Sequence, residues 1–109
     1  MSAAEYRILF MVRRPYYDAI VAGTKTFELR RGTERWKNMG GRALMDVANG
    51  SPATAVFMCG RQRVHRRRFL GVRLERSAEA ALGRPPTTEE LAFLGDGEVV
   101  RFALGEVVP

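Results

Sequence analysis

The chain has 109 residues, 46% hydrophobic and 28% charged, a composition typical of one globular domain and unlike that of a disordered chain. Eighteen basic against twelve acidic residues give a formal net charge of +6, and no apolar run approaches the roughly 20 residues of a membrane span. The sequence also lacks a phosphate-binding P-loop, a dinucleotide-binding fingerprint and a nucleophile elbow, which sets aside the common cofactor and catalytic-triad chemistries.

The positive charge is concentrated in one segment. Residues 61–76 carry seven arginines and one glutamate, a net charge equal to that of the whole chain, whereas residues 77–109 are net acidic. Sixteen of the 18 basic residues are arginine, which favours bidentate contacts with phosphate or carboxylate, although a GC-rich genome produces the same bias without any function. A cationic segment beside an acidic one favours a polyanion partner, with nucleic acid the first candidate and a membrane surface the second.

Cysteine and histidine are each present once, as Cys59 and His65. One cysteine cannot form an internal disulfide, and one histidine among arginines is a poor cation ligand. The N-terminal segment lacks the basic and apolar regions of a signal peptide. We therefore expect a single cytoplasmic domain over residues 1–109 that uses no metal and no cofactor and does not bind membranes.

The first 31 residues predict a strand, a short helix and a second strand. Tyr6–Val12 is a nearly continuous apolar run, typical of a buried strand. Pro15 suits the first turn of a helix and Gly23 its C-terminal cap, which predicts a helix over residues 15–22. The alternation in residues 24–31 predicts a half-buried strand with Phe27 and Leu29 on one face.

The other face of this second strand is polar, and short connections bring further polar side chains towards it. The resulting candidate site consists of Arg13 or Arg14, Lys25, Thr26, Glu28 and Arg30. A guanidinium, an ammonium and a carboxylate together can bind a nucleobase, a phosphate or an amide. The alternative interpretation is a structural ion pair between Glu28 and Arg30 on a solvated face.

The remainder of the chain predicts strands more often than helices. Residues 32–41 are polar and bounded by glycines, which predicts an exposed loop that contains Trp36. The further predicted elements are a strand over 42–48, a turn over 49–52, a strand from 53 to 59 that continues past Gly60, a strand over 71–75, helices over 77–82 and 87–94, and a closing strand over 98–108.

The arginine segment predicts a second candidate binding surface. If the preceding strand continues, Arg61, Arg63, His65 and Arg67 share one face and form a cationic stripe about 20 Å long. Such a stripe suits a nucleic-acid backbone, with Trp36, Phe69 or Tyr17 available to stack on bases. The alternative is a solvated edge strand whose charges prevent pairing with other chains.

The run from Ile8 through Arg13-Arg14-Pro15 to Gly23-Thr24-Lys25-Thr26-Phe27-Glu28-Leu29-Arg30 resembles the N-terminal signature of ASCH domains, which belong to the PUA-like superfamily. The similarity covers about the first 30 residues, and the segment from Leu94 to Phe102 also resembles the family's last strand. The resemblance implies an α+β fold, a small β-barrel of five to six strands with two to three short helices.

The resemblance also implies a module that binds RNA, another nucleic acid or a nucleotide in a cleft beside the motif. Some members are small hydrolases that deacylate N4-acetylcytidine with the motif lysine and a threonine three residues later. Here Lys25 holds the lysine position but Glu28 replaces that threonine, and a nearby carboxylate favours the charged ammonium over a reactive amine.

The sequence therefore predicts nucleic-acid binding. A small hydrolase acting on a modified nucleoside or on RNA is the alternative, with Lys25 and Glu28 as its catalytic residues. A protein-interaction domain that docks an acidic partner is the third.

Overall fold

The computed structural model describes residues 5–109, and within this range the chain forms five strands and four helices. Residues 1–4 lie outside the described range, and with them part of the N-terminal segment that was predicted not to be a signal peptide. The strands are β1 (Tyr6–Met11), β2 (Phe27–Arg31), β3 (Ala53–Cys59), β4 (Arg63–Glu75) and β5 (Val99–Val107). The helices are α1 (Arg14–Ala22), α2 (Glu34–Ala48), α3 (Ala78–Leu82) and α4 (Thr88–Leu94).

The strands form one mixed sheet in the order β1-β3-β4-β5-β2. β1 pairs with β3 in parallel, and the other neighbours are antiparallel. The sheet curls into a half-barrel, with register shifts in β4 at Arg67–Gly71. This confirms the α+β class, with one helix more than predicted in the described range. No helix in residues 5–109 is long and apolar enough to cross a membrane.

The inner face of the sheet holds the main hydrophobic core. Side chains that alternate along β1 point inward, so Ile8 and Phe10 are fully buried while Leu9 between them is exposed. Phe10 stacks on Phe57 of β3 with ring centroids 5.1 Å apart and contacts Phe102 of β5 edge-on at the same distance. These aromatic contacts join three strands across the concave side of the half-barrel.

The outer face is covered on one half only. Helices α3 and α4 pack a second cluster over β2 and β5, built from Leu29, Ala78, Leu94 and Val99. On the β1–β3–β4 half, side chains such as Leu9 and Leu70 are more than half exposed.

The prediction of a loop over 32–41 and a strand over 42–48 is wrong, because both stretches belong to α2. Thr33 caps this helix by accepting a hydrogen bond from the backbone N–H of Trp36. Gly40, inside the predicted loop, lies in the helix, where a Cβ would come within 2.9 Å of Val72. The glycine lets α2 approach the sheet closely, which is a packing requirement and not a chain break.

The prediction that the strand over 53–59 continues past Gly60 is also wrong. Gly60 has φ of +64°, and the chain turns there before β4 begins at Arg63. β4 then runs antiparallel to β3, between β3 and β5, so it is a central strand and not an edge strand. The separate strand predicted over 71–75 is the end of β4.

Candidate functional site

A cavity of about 790 Å³ lies between the two edge strands of the sheet. The end of β1 and the start of α1 form one side, β2 forms the opposite side, and α4 contributes the rest of the wall. Most of the lining is apolar or aromatic, with Tyr16, Phe27 and Phe93 as its rings. A cavity of this size and character is typical of small-molecule sites.

A buried carboxylate lies at the base of the cavity. Glu28 pairs with Phe102 across the sheet, so its side chain is on the inner face, and the residue is only 3% exposed. Its Oε1 atom accepts hydrogen bonds from Lys25 Nζ at 2.7 Å and from the backbone N–H of Leu29 at 3.1 Å. Its Oε2 atom accepts one from Arg30 Nη2 at 3.0 Å. Two cations thus compensate one buried anion.

Arg30 links the two edges of the half-barrel. Besides Glu28, its Nη2 atom donates to the backbone carbonyl of Met11 at 3.0 Å, so a side chain of β2 holds the end of β1. The guanidinium lies between aromatic rings, with centroids of Phe10, Trp36 and Phe93 at 5.2, 5.0 and 5.4 Å. These contacts and the ion pair fix the buried cation in one position.

Lys25 is placed by the end of α1. Gly23 adopts φ of +79°, and the backbone N–H groups of Thr24 and Lys25 both donate to the carbonyl of Ala19, which turns the chain towards β2. The Lys25 ammonium lies 5.0 Å from the ring centroid of Tyr16 as well as beside Glu28. Its side chain is 21% exposed, so a ligand in the cavity can reach the ammonium.

Two further ion pairs lie on the α4 side of the cavity, and both join an arginine to a glutamate of that helix. Arg84 forms two 2.8 Å hydrogen bonds with Glu90, which also accepts from the Thr87 backbone N–H in a capping box. The Arg84 hydrogen bonds and then the Thr87 backbone bond lower the pKa of Glu90 to about 2. Arg13 forms a single 3.0 Å contact with Glu89.

The structure brings together most, but not all, of the first predicted site. Arg13, Lys25, Glu28 and Arg30 all line the cavity. Arg14 is not among the lining residues, and its guanidinium pairs with Asp18 one helical turn later at 2.9 Å. Thr26 is exposed, and its backbone carbonyl accepts from the Leu104 N–H at 3.0 Å, so it serves the strand pairing.

The four residues of the second predicted site do not form one exposed stripe. Arg61 lies in the turn before β4, and Arg63 is exposed at the first position of that strand. Arg67 is only 9% exposed, because its Nε atom donates to the Gly105 carbonyl at 2.6 Å and its Nη1 atom to the Ile20 carbonyl at 3.0 Å. It thereby holds the C-terminal end of α1 against the sheet.

His65 shares this inward face. It pairs with Phe57 across the sheet, and its ring meets Tyr17 of α1 edge-on, with centroids 6.5 Å apart. Its buried Nε2 atom makes no hydrogen bond to any residue in the range 5–109. Burial, and secondly the charge of Arg67, lower the pKa of His65 below its usual value. Val64 and Arg66, which flank His65 in β4, are exposed instead.

Sequence reasoning missed the part of the site that comes from α2 and from the region before and within α4. Trp36 lies in α2 and not in the predicted loop. Arg84, Glu89 and Phe93 line the cavity, but no sequence pattern placed them at a site. The sequence does mark the start of α4 through Thr87 and its acidic first turn. Nothing in that local pattern indicates that the helix lies across a cavity beside β2.

Among residues 5–109, no three His, Cys, Asp or Glu side chains come together as a possible metal site. The cavity itself is lined by ion pairs and aromatic rings. The chain matches no protein-family model. A comparison with curated proteins gives no match either.

Proposed function

We propose that this protein binds a nucleobase in the cavity, either as part of RNA or another nucleic acid or as a free nucleotide. The observation that carries this proposal is the Glu28 carboxylate, buried at the base of an open and largely apolar cavity and held there by Lys25 and Arg30. A fixed carboxylate beside a fixed ammonium presents an acceptor and donors to one planar ligand.

The contacts of the cavity match the chemistry of a base. A carboxylate accepts hydrogen bonds from exocyclic amino groups such as the cytosine N4 amine. Tyr16 and Phe93 line the cavity, and Phe93 is 54% exposed, so an aromatic face is available for stacking. Glu28 Oε2 accepts one hydrogen bond within the described range, so one lone pair of this oxygen has no donor there.

The same geometry supports assignment to the ASCH domains of the PUA-like superfamily. The residues that carry the resemblance follow the expected order of strand, helix and strand, and Lys25, Glu28 and Arg30 of the motif meet at one cavity. In this interpretation the half-barrel is a PUA-like barrel whose open side, between β1 and β2, is the binding site.

The exposed arginines outside the cavity support a nucleic-acid chain as ligand. Arg61, Arg63 and Arg66 are exposed on or before β4, and arginine at such positions can contact phosphates without reading sequence. Each phosphate contact lowers the logarithm of affinity by about 0.7 to 0.9 per unit of log salt concentration.

The Lys25–Glu28 contact favours binding over hydrolysis. A lysine nucleophile needs a nitrogen that is free to attack, and Lys25 Nζ instead donates a hydrogen bond to the Glu28 carboxylate at 2.7 Å. We therefore assign Lys25 to hydrogen bonding with the ligand.

The test is a titration of the isotopically labelled protein with the four ribonucleosides and with a short single-stranded RNA, followed by NMR. We expect amide shifts to concentrate between Lys25 and Arg30. Glu28→Gln, which keeps the shape but removes the charge, should weaken binding about tenfold, as expected for a charge-assisted hydrogen bond.

Glu34→Gln is the matched control, since that carboxylate is 83% exposed on α2. Thermal melts of both variants separate lost binding from lost folding. Absence of shifts in the cavity with every nucleoside and with RNA contradicts the proposal, as does undiminished binding by a folded Glu28→Gln variant.

A further inference from the structure

We propose that the mouth of the cavity is a phosphate subsite, in which Arg13 binds the phosphate attached to the nucleoside in the cavity. Glu89 occupies Arg13 when no phosphate is bound and is displaced when one arrives. This inference rests on the proposed function, because it assumes that the cavity holds a nucleoside.

The two ion pairs of α4 differ in how firmly they are held. Arg84 and Glu90 make two hydrogen bonds, and Glu90 is tied to the Thr87 backbone N–H as well, with its side chain only 19% exposed. The Glu90 carboxylate also belongs to the capping box of α4, which holds it in place beside Arg84. Arg84 is therefore committed to the structure of the protein.

The pair of Arg13 and Glu89 has none of this support. It consists of one contact of 3.0 Å between side chains that are 77% and 65% exposed. Arg13 is the N-cap residue of α1, yet its side chain makes no capping bond and extends to Glu89. Exposed pairs of this kind contribute little to stability, so a competing anion can replace the glutamate at small cost.

A phosphate is the anion that competes best. It offers more acceptor oxygens than a carboxylate, and guanidinium binds it through two parallel hydrogen bonds. Arg13 and Lys25 line the same cavity, so a ligand that places its base near Glu28 has cationic groups on its route to solvent. After the displacement, the phosphate is paired with Arg13 and the exposed Glu89 carboxylate is hydrated by solvent.

The experiment compares the affinity of a nucleoside with that of its monophosphate, using whichever base binds best. We expect the monophosphate to bind about tenfold more tightly to the unaltered protein. Arg13→Gln should abolish this difference, so that the ratio of monophosphate to nucleoside affinity falls to about one. Glu89→Gln should raise the ratio of monophosphate to nucleoside affinity severalfold, because the competing carboxylate charge is gone.

Two controls match these variants in charge. Arg14→Gln removes the same charge one residue away, from a side chain that pairs with Asp18 and lies outside the cavity lining. Glu106→Gln removes an exposed carboxylate at the end of β5. Both should keep the ratio of monophosphate to nucleoside affinity within about twofold of the unaltered protein, the change that screened, distant charges produce.

Equal affinity for nucleoside and monophosphate overturns this inference while the proposed function stands. Equal effects of Arg13→Gln and Arg14→Gln on the affinity ratio overturn it too, because the effect would then come from the net charge of the protein and not from a contact with Arg13. Failure of both ligands to bind contradicts the proposed function itself. A dinucleotide, tested alongside, distinguishes two sources of the phosphate. If the subsite binds the phosphodiester of a nucleic-acid chain, Arg13→Gln should weaken dinucleotide binding as well. If it binds only a free monophosphate, the substitution should weaken monophosphate binding alone.

Discussion

The cavity and the arginine-rich strand β4 use their charges in opposite ways. In the cavity, cations that lie apart in the sequence meet carboxylates, so Lys25 and Arg30 share Glu28. In β4, cations adjacent in the sequence are separated by the alternation of the strand, and Arg67 is buried while Arg66 is exposed. A run of like charges in the sequence does not become a surface patch when it lies on a central strand.

The two regions also differ in what their buried guanidinium groups bind. A buried guanidinium in the cavity has a carboxylate partner, whereas Arg67 is held by two backbone carbonyls. The first arrangement lines the cavity, where a ligand could replace some of its contacts. The second satisfies the chain ends of α1 and β5 and is structural. Stability measurements on the two regions can separate these roles.

The largest effect is expected for Glu28→Ala. Removal of the carboxylate leaves Arg30, whose side chain is 11% exposed, as an uncompensated buried cation. The free energy of unfolding should fall by about 3 to 5 kcal/mol, the cost of breaking a buried pair. Urea denaturation measures the loss, and Glu34→Ala should change stability by no more than about 0.5 kcal/mol. Equal losses in the two variants would show that the cavity pair is no different from a surface pair.

A smaller effect is expected for Arg67→Gln. The shorter amide cannot reach both the Ile20 and the Gly105 carbonyls, and each unsatisfied buried acceptor costs about 1 to 3 kcal/mol. Arg63→Gln is the matched control on the same strand, exposed and expected within about 0.5 kcal/mol of the unaltered protein. If Arg63→Gln were the more damaging change, β4 would be an exposed cationic surface with Arg67 as an ordinary member.

The smallest effect concerns pH. The pKa of His65 is lowered by burial and by Arg67, so the unfolded chain binds a proton more readily than the folded protein. Stability should be highest above the ordinary histidine pKa near 6.5 and should decrease as pH falls through that value towards the lower folded pKa. Urea unfolding between pH 5 and 7.5 measures the slope.

His65→Gln should flatten that slope, and the assignment is clear because His65 is the single histidine of the chain. A slope that survives the substitution would assign the pH dependence to other groups. Stability that rises on acidification would show that His65 has a partner favouring its charged form.

The sequence predicted the strand β2 and the shared face of Glu28 and Arg30, because period-two alternation is a local property. It could not predict their burial. The covering groups are Trp36 in α2 and Phe93 in α4, which approach Arg30 only through the tertiary fold. Hydrophobic patterning reports which residues share a face and not what covers that face.

The inward direction of Arg67 could not be predicted for a related reason. The facing of β4 is set by its pairing with β3, where Ala55 lies opposite Arg67 on the core side. A strand that starts at Arg61 also places His65 and Arg67 on one face. The arginines on that face predicted that it is exposed to solvent, whereas it faces the core. The backbone carbonyls that accept from Arg67 belong to Ile20 and Gly105, far away in the chain.

The strand order has a consequence for how the protein is assembled during synthesis. β2 carries the motif residues, but its one partner in the sheet of residues 5–109 is β5, the last of the five described strands. More than sixty residues must therefore leave the ribosome after the motif before its hydrogen-bonding partner is available. Contacts so distant in sequence form late in folding. The cavity is thus completed only after β5 has been synthesised and pairs with β2.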